Sequence, residues 1–282
     1  MNILIAGSTG NIGTYLYQEL SSSFSVTGIG NSKVSYIKNY FSLDLTNSKS
    51  FTKVIDKIPR INILIFLIGL AHKKGRNRDI IEFQKINKDA LVNLVTILDE
   101  HQNSPDKIIF ASTISVYGEK KYITNYDENY LPDPKSPYAI TKLEAESFLL
   151  KNYPNKTWIL RFSPVYGHNF MLNIYRRVKI KNIFFRVGDG ENKLSLCNIK
   201  NIKIVVENII EHNIPHGIYN ISDLKHYTYN SILKKYDDDN TIINIPDVLV
   251  KILYFIGLLF NSTFLIENTT KLISSNIFII VY

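Results

Sequence analysis

Asn2-Ile3-Leu4-Ile5-Ala6-Gly7-Ser8-Thr9-Gly10-Asn11-Ile12-Gly13 reads as a short buried strand that runs straight into a glycine-rich turn and the start of a helix. A glycine at the first of these positions permits a tight bend. At the second it lets backbone N–H groups approach a pyrophosphate, and at the third it lets helix and strand pack closely. The amino end of the following helix then holds the anion. The stretch therefore predicts a dinucleotide site in which Gly7, Thr9, Gly10, Asn11, Ile12 and Gly13 contact the cofactor.

Outward from that turn, short apolar runs alternate with helical patterns. Residues 2–6, 25–29, 61–68, 107–111 and 157–162 are bounded by turn formers and read as buried strands. Residues 12–20, 51–58, 80–101 and 138–151 repeat apolar side chains at three- and four-residue spacing, as amphipathic helices do. Such alternation predicts an α/β fold: a Rossmann-type doubly wound parallel sheet, with a smaller C-terminal α/β substrate cap where the rhythm breaks after Gly167. The expected domains are residues 1–167 for the dinucleotide and 168–282 for the cap, with 199–212 packing back on the first.

The remaining chain properties narrow the class. In 282 residues, 45% are hydrophobic, 21% charged and 12% aromatic, which excludes collagen-like, acidic-tail and disulfide-scaffold readings. Cys197 is the single cysteine and cannot form an intramolecular disulfide, so nothing points to an oxidising compartment. The start reads as a strand without a signal peptide, and the apolar stretch 248–260 is too short to span a bilayer. A cytoplasmic protein without stable membrane insertion is expected. The net charge of +8 is scattered along the chain, so it is read as a habit of composition and no nucleic-acid partner is expected.

The second constellation carries reaction chemistry. The predicted strand ending in Ser112-Thr113 is followed by Ser136-Pro137-Tyr138-Ala139-Ile140-Thr141-Lys142. Ser136 suits an N-cap and Pro137 the first helical position, which puts Tyr138 and Lys142 one turn apart on one face. An unperturbed phenol is a poor base at neutral pH. A lysine ammonium nearby, with the positive charge of an oxidised nicotinamide, is expected to lower its pKa and make Tyr138 a proton acceptor. Thr113 supplies a hydroxyl to the same substrate oxygen. At the end of the second strand Gly28-Ile29-Gly30-Asn31-Ser32-Lys33 offers no carboxylate, so NAD or NADP fits, with Asp44 and Leu45 expected beside the adenine or, for Asp44, in a turn. No metal site is expected.

With these motifs together, the sequence resembles the extended short-chain dehydrogenase/reductase family, in its nucleotide-sugar epimerase, dehydratase and reductase branch. Gly7, Gly10 and Gly13 match the family's GxxGxxG, Thr113 its catalytic Ser/Thr, and Tyr138 and Lys142 its YxxxK. The resemblance implies that Leu67 and Gly69 lie along the cofactor, that Asn87 belongs to the family's VN motif, and that Val165 ends the nicotinamide-side strand. It implies Ser112, Asn169 and Lys193 on the substrate side, Asn169 and Lys193 near a diphosphate, although a helix cap and a solvated turn charge explain these two as well. Asn198-Ile199-Lys200-Asn201 departs from the family's acidic stretch.

Within that branch, 4,6-dehydratases carry an Asp-Glu pair after the catalytic threonine, where this chain has Ile114-Ser115. Elimination then lacks its acid-base pair. The resemblance implies hydride transfer at a secondary alcohol, at C4 of a nucleotide-diphosphate sugar, by a 4-epimerase or 4-keto reductase in surface-polysaccharide precursor synthesis. A non-catalytic dinucleotide- or RNA-binding module is the alternative. The apolar helix at 248–260 leaves three readings open: packing on the cap, contact in a homodimer, or a surface anchor.

Overall fold

Ile3, Leu4, Ile5 and Ala6 are almost wholly buried, so β1 (Asn2–Ala6) is covered on both faces, the condition under which parallel strands form. The computed structural model describes the chain apart from residues 35, 72–79, 119–124, 168–169, 235–240, 276 and 279–282. After β1 come α1 (Asn11–Leu20), β2 (Ser25–Gly30), β3 (Tyr40–Ser42), α2 (Ser48–Thr52), β4 (Ile63–Phe66), α3 (Ile80–Gln84), α4 (Ala90–Glu100), β5 (Lys107–Thr113), β6 (Asn125–Tyr126), α5 (Pro137–Asn152) and β7 (Thr157–Phe162). Then follow β8 (Val165–Tyr166), α6 (Leu172–Val178), β9 (Lys179–Ile180), β10 (Ile183–Val187), β11 (Lys193–Leu194), β12 (Cys197–Asn198), α7 (Ile199–Ile210) and β13 (Gly217–Ile221). The last elements are β14 (Tyr227–Thr228), α8 (Tyr229–Leu233), β15 (Ile242–Ile245), α9 (Asp247–Leu259), α10 (Thr263–Ile273) and β16 (Ile277–Phe278).

One sheet orders seven strands β13-β7-β5-β4-β1-β2-β3, and parallel ladders join β3, β2, β1, β4 and β5. The expected doubly wound α/β sheet is present. The strand order reverses at β1, which lies between β2 and β4, and such a reversal opens a ligand crevice at the carboxyl ends of the strands. The glycine turn leaves β1 at that point.

The chain forms two compact units, one of Met1–Val116, Ser136–Arg161 and Lys203–Tyr219, the other of Tyr117–Lys135, Phe162–Ile202 and Asn220–Tyr282. In the first, Phe51, Leu64, Phe66, Leu91, Leu94, Leu98, Ile108, Phe110, Leu149 and Ile159 form one buried cluster. In the second, Ile174, Val178, Phe184, Leu196, Tyr229 and Ile232 form another. Its sheets are small: β15-β10-β9, and the pairs β11-β14, β12-β8 and β16-β6.

Three elements differ from the periodicity. The helix expected over 51–58 is instead the short α2 followed by a 3-10 turn at Ile55–Lys57, because Thr52 and Val54 disfavour helix and Pro59 stops it. The helix expected over 80–101 holds a π turn at Lys85–Asp89 between α3 and α4. The edge strand β3 was missed, since a three-residue strand is too short to show alternation.

Candidate active site

Gly7 adopts φ +90°, and a Cβ there would sit 3.1 Å from the Ile68 nitrogen. Its N–H donates to the Ile29 carbonyl at 2.7 Å, and the Gly10 N–H returns to the Gly7 carbonyl at 3.0 Å, closing the turn. A Cβ on Gly13 would fall 2.1 Å from the Gly7 carbonyl oxygen, so only glycine lets α1 pack there. Helix α1 has no side-chain cap at Gly10. Its first internal bond runs from the Thr14 N–H to the Gly10 carbonyl at 2.8 Å, which leaves the N–H groups of Asn11, Ile12 and Gly13 without an acceptor inside the helix. A Cβ on Gly10 would meet only the Gly7 oxygen, at 3.4 Å. Among the described residues, the buried Ser8 hydroxyl has no hydrogen-bond partner. A cradle of this form, with N–H donors and room for backbone approach, fits a pyrophosphate.

Around it, Thr9 hydrogen-bonds the Tyr40 phenol, whose O–H donates to the Ser32 carbonyl at 2.6 Å. Asn31, Ser32 and Lys33 are exposed. The Asp44 carboxylate accepts from the Thr46 N–H at 3.0 Å and the Thr46 hydroxyl at 2.7 Å, the turn expected as its second reading. Leu45 lies in the core, and its carbonyl accepts from Asn93 at 3.1 Å.

The residues expected to carry the reaction gather at the carboxyl end of β5. Ser136 caps α5 by accepting from the Ala139 N–H at 3.4 Å, and Pro137 takes the first helical position, which carries Tyr138 and Lys142 inward. The Thr113 hydroxyl hydrogen-bonds the Tyr138 phenol. Although Tyr138 as a residue keeps some exposed surface, its hydroxyl is enclosed, and desolvation pushes its pKa up to about 12 against the lowering pull of Thr113. Lys142 is 3% exposed. Its ammonium donates to the Ala111 carbonyl at 2.8 Å and the Ile68 carbonyl at 3.2 Å and lies 4.6 Å from the Phe110 ring centre. Burial draws its pKa down to about 7, with Glu146 pulling it back up. The protein by itself thus moves the phenol away from neutrality, whereas the lowering expected above includes the charge of an oxidised nicotinamide. Desolvation is the larger cause, and the Thr113 hydrogen bond offsets only part of it.

Asn87 and Gly69 complete this corner. A Cβ on Gly69 would stand 3.2 Å from the Lys142 ammonium, so its missing side chain is the room the lysine occupies. Asn87, fully buried in the π turn, accepts from the Leu70 N–H at 2.6 Å and donates to the Thr141 hydroxyl at 3.0 Å. It thereby ties the segment after β4 to α5. The Leu67 N–H donates to the Ala6 carbonyl at 2.8 Å, extending the ladder beside the glycine turn.

Ser112 turns its hydroxyl onto Glu146, which sequence reasoning missed along with Arg161. Arg161 donates to the Glu146 carboxylate through Nε at 3.2 Å and a terminal nitrogen at 2.6 Å. The signal for Glu146 was present in its spacing, four residues beyond Lys142 on the face that carries Tyr138. In the second unit Val165 is buried and pairs with Cys197, and Lys193 is exposed with its N–H donating to Ser275 at 3.0 Å. Asn169 lies outside the described residues. Asp223 was also missed: it accepts from the Asn198 N–H at 2.7 Å, Asn201 at 2.8 Å, and the phenols of Tyr166 and Tyr227, each at 2.8 Å. Asn198 and Asn201, at the point of departure from the acidic stretch, thus serve as donors to a carboxylate. Among the described residues, no group of three or more His, Cys, Asp or Glu is placed to hold a metal ion, and no helix is long and apolar enough to cross a membrane.

The profile of the NAD dependent epimerase/dehydratase family matches residues 3–222. An uncharacterized UDP-glucose epimerase of Bacillus subtilis is 31% identical over 189 residues, covering 59% of this chain and 57% of that protein's length. Among solved structures, a UDP-glucuronic acid 4-epimerase from Bacillus cereus in complex with NAD superposes with a TM-score of 0.71 at 24% identity, covering 87% of this chain and 86% of that one. A UDP-glucose 4-epimerase from Thermotoga maritima, with UDP-glucose, gives 0.70 at 21% identity over 87% and 86% of the two chains. At these identities the superpositions establish the shared fold.

Proposed function

The chain belongs to the NAD dependent epimerase/dehydratase family, and we propose that it oxidises and reduces C4 of a nucleotide-diphosphate sugar, as a 4-epimerase or a 4-keto reductase. The observation that carries the reading is the enclosed Tyr138 phenol, with the Thr113 hydroxyl on it and Lys142 one turn further along the same helix. When bound, the nicotinamide accepts and returns the hydride. Gly7, Gly10, Gly13 and the first N–H groups of α1 hold its pyrophosphate end, and Gly69 and Lys142 line the path from β4. No carboxylate stands at the end of β2, so NAD and NADP are both accommodated.

Thr113 and Tyr138 grip the sugar hydroxyl oxygen, and Tyr138 takes its proton at the phenolic oxygen. With its pKa near 12 in the protein alone, the phenol gives up its proton only once cationic charge from the cofactor adds to that of Lys142. Ile114-Ser115 supplies no acid-base pair, which disfavours elimination of water and so a dehydratase. The UDP-sugars named for the relatives make uridine diphosphate the first nucleotide to test, and a place in surface-polysaccharide precursor synthesis is part of the proposal. We assign the diphosphate to Lys193 and Asn169.

Incubation with UDP-, GDP- and dTDP-sugars and either cofactor, with products identified by NMR, tests this. The wild type is expected to alter C4. Tyr138→Phe should lower turnover by about 10²–10⁴-fold while cofactor affinity, read by fluorescence of the reduced nicotinamide, stays within a few-fold. A variant that kept most of the wild-type rate would refute the mechanism.

A further inference from the structure

Helix α5 carries Tyr138, Lys142 and Glu146 at four-residue intervals, which places them along one face. Glu146 is 1% exposed and Arg161 2%. One oxygen of the carboxylate accepts from the Ser112 hydroxyl and from Arg161 Nε at 3.2 Å; the other accepts from Arg161 at 2.6 and 3.3 Å. A buried ion pair of this kind gains little stability over apolar residues of the same volume, because desolvation consumes the Coulombic gain. Stability alone does not account for it.

Its neighbours do. Ser112 directly precedes Thr113, whose hydroxyl sits on Tyr138. Among the described residues, the buried Lys142 ammonium donates to neutral oxygens of the strands packed on it, the carbonyls of Ile68 and Ala111. The groups around it are Tyr138 and Glu146 on its own face of α5, the Phe110 ring on β5, and Gly69 after β4 with the neutral Asn87 of the π turn beside that glycine. Arg161 on β7 is engaged by Glu146. Lys88 and Glu144 form a partly exposed pair at 3.1 Å between the π turn and α5. Glu146 is therefore the anion placed to offset the burial of the ammonium.

We propose that Glu146 is a positioning residue for the Tyr138–Lys142 pair: its buried carboxylate sets a negative charge one turn along the helix face from the Lys142 ammonium and, through Ser112, fastens the strand end bearing Thr113 to helix α5. The role rests on the catalytic reading of Tyr138 and Lys142 given above, but its first test does not require turnover. Burial and Glu146 act on the lysine in opposite directions, so removing the carboxylate has a definite sign.

Competitive acylation of the purified protein across a pH series, with the Lys142 peptide followed by mass spectrometry, gives the pH at which that lysine loses its proton. In Glu146→Gln the midpoint is expected to fall by about one pH unit or more, a tenfold change in the protonation equilibrium. Glu146→Asp should bring it back toward the wild type. Should Glu146→Gln not fold, Glu146→Gln/Arg161→Met removes the carboxylate without stranding the guanidinium, and the midpoint should again lie below the wild type. An unchanged midpoint in either folded variant overturns the proposal. Where an active sugar has been found, the alkaline limb of the pH-rate profile should move to lower pH in Glu146→Gln, a shift that a merely structural defect would not produce. Absence of activity with every sugar would count against the catalytic reading and leave the lysine midpoint to decide this one.

Discussion

Helix α5 buries Thr141, Lys142 and Glu146, whereas helix α9 leaves Leu249, Leu253, Phe255 and Leu259 on the surface and buries only Val250 and Gly257. Both depart from a purely apolar buried face, for different reasons. Polar burial in α5 is sustained because each group meets a fixed partner: carbonyls for Lys142, Asn87 for Thr141, Arg161 for Glu146. Helix α9 meets α10 at Gly257, where a Cβ would sit 3.0 Å from Leu265 Cβ, and among the described residues nothing covers Leu249, Phe255 or Leu259. The contrast teaches that composition sets what a helix would prefer to bury, and that the available partners set what it does bury.

The largest effect should come from depriving α5 of a partner. Arg161→Met strands the Glu146 carboxylate in the interior and is expected to cost about 3–5 kcal/mol in urea unfolding; a loss under about 1 kcal/mol would mean that the pair is not buried as described. A second test uses pH. Lys142 titrates near pH 7 in the folded protein against an ordinary 10.5, so between these values the unfolded chain holds a proton that the native state has released. Stability should therefore climb with pH through that window. The part of the climb due to this lysine should vanish in Lys142→Met, as chemical denaturation at a series of pH values would show. Equal slopes in the two proteins would contradict the burial of the ammonium. The smallest effect belongs to the end of α9 and the residue after it: Leu259→Ser and Phe260→Ser, at residues 77% and 73% exposed, should each change stability by no more than about 0.5 kcal/mol. A cost of several kcal/mol would show these side chains to be covered.

The glycine turn and the Ser136-Pro137-Tyr138 start of α5 were readable because their chemistry is local: glycine where a Cβ would collide, an N-cap where a helix begins. Lys142 and Asn87 were readable as residues but not as a geometry. The lysine's carbonyl partners and the Asn87 bridge from Leu70 to Thr141 join segments far apart in the chain. Arg161 sits in a strand that reads as apolar, and Asp223 follows β13 with no pattern around it; each acquires its meaning from partners that one-dimensional spacing does not reveal. The enclosure that raises the Tyr138 pKa in the protein alone was not legible for the same reason, since enclosure is a property of the fold.

The π turn at Lys85–Asp89 has an evolutionary corollary. A π turn is an α-helix with one residue too many, so a single-codon deletion is the shortest mutational route to a regular helix from α3 through α4. That deletion would rotate the flanking residues by about 100° relative to one another, and Asn87 would no longer face both Leu70 and Thr141. The irregularity is consequently protected against reversion. Lineages that drift in this segment should substitute freely around Asn87 while keeping its length fixed, and among variants selected for function from a library of single-residue deletions, those within Lys85–Asp89 should be depleted.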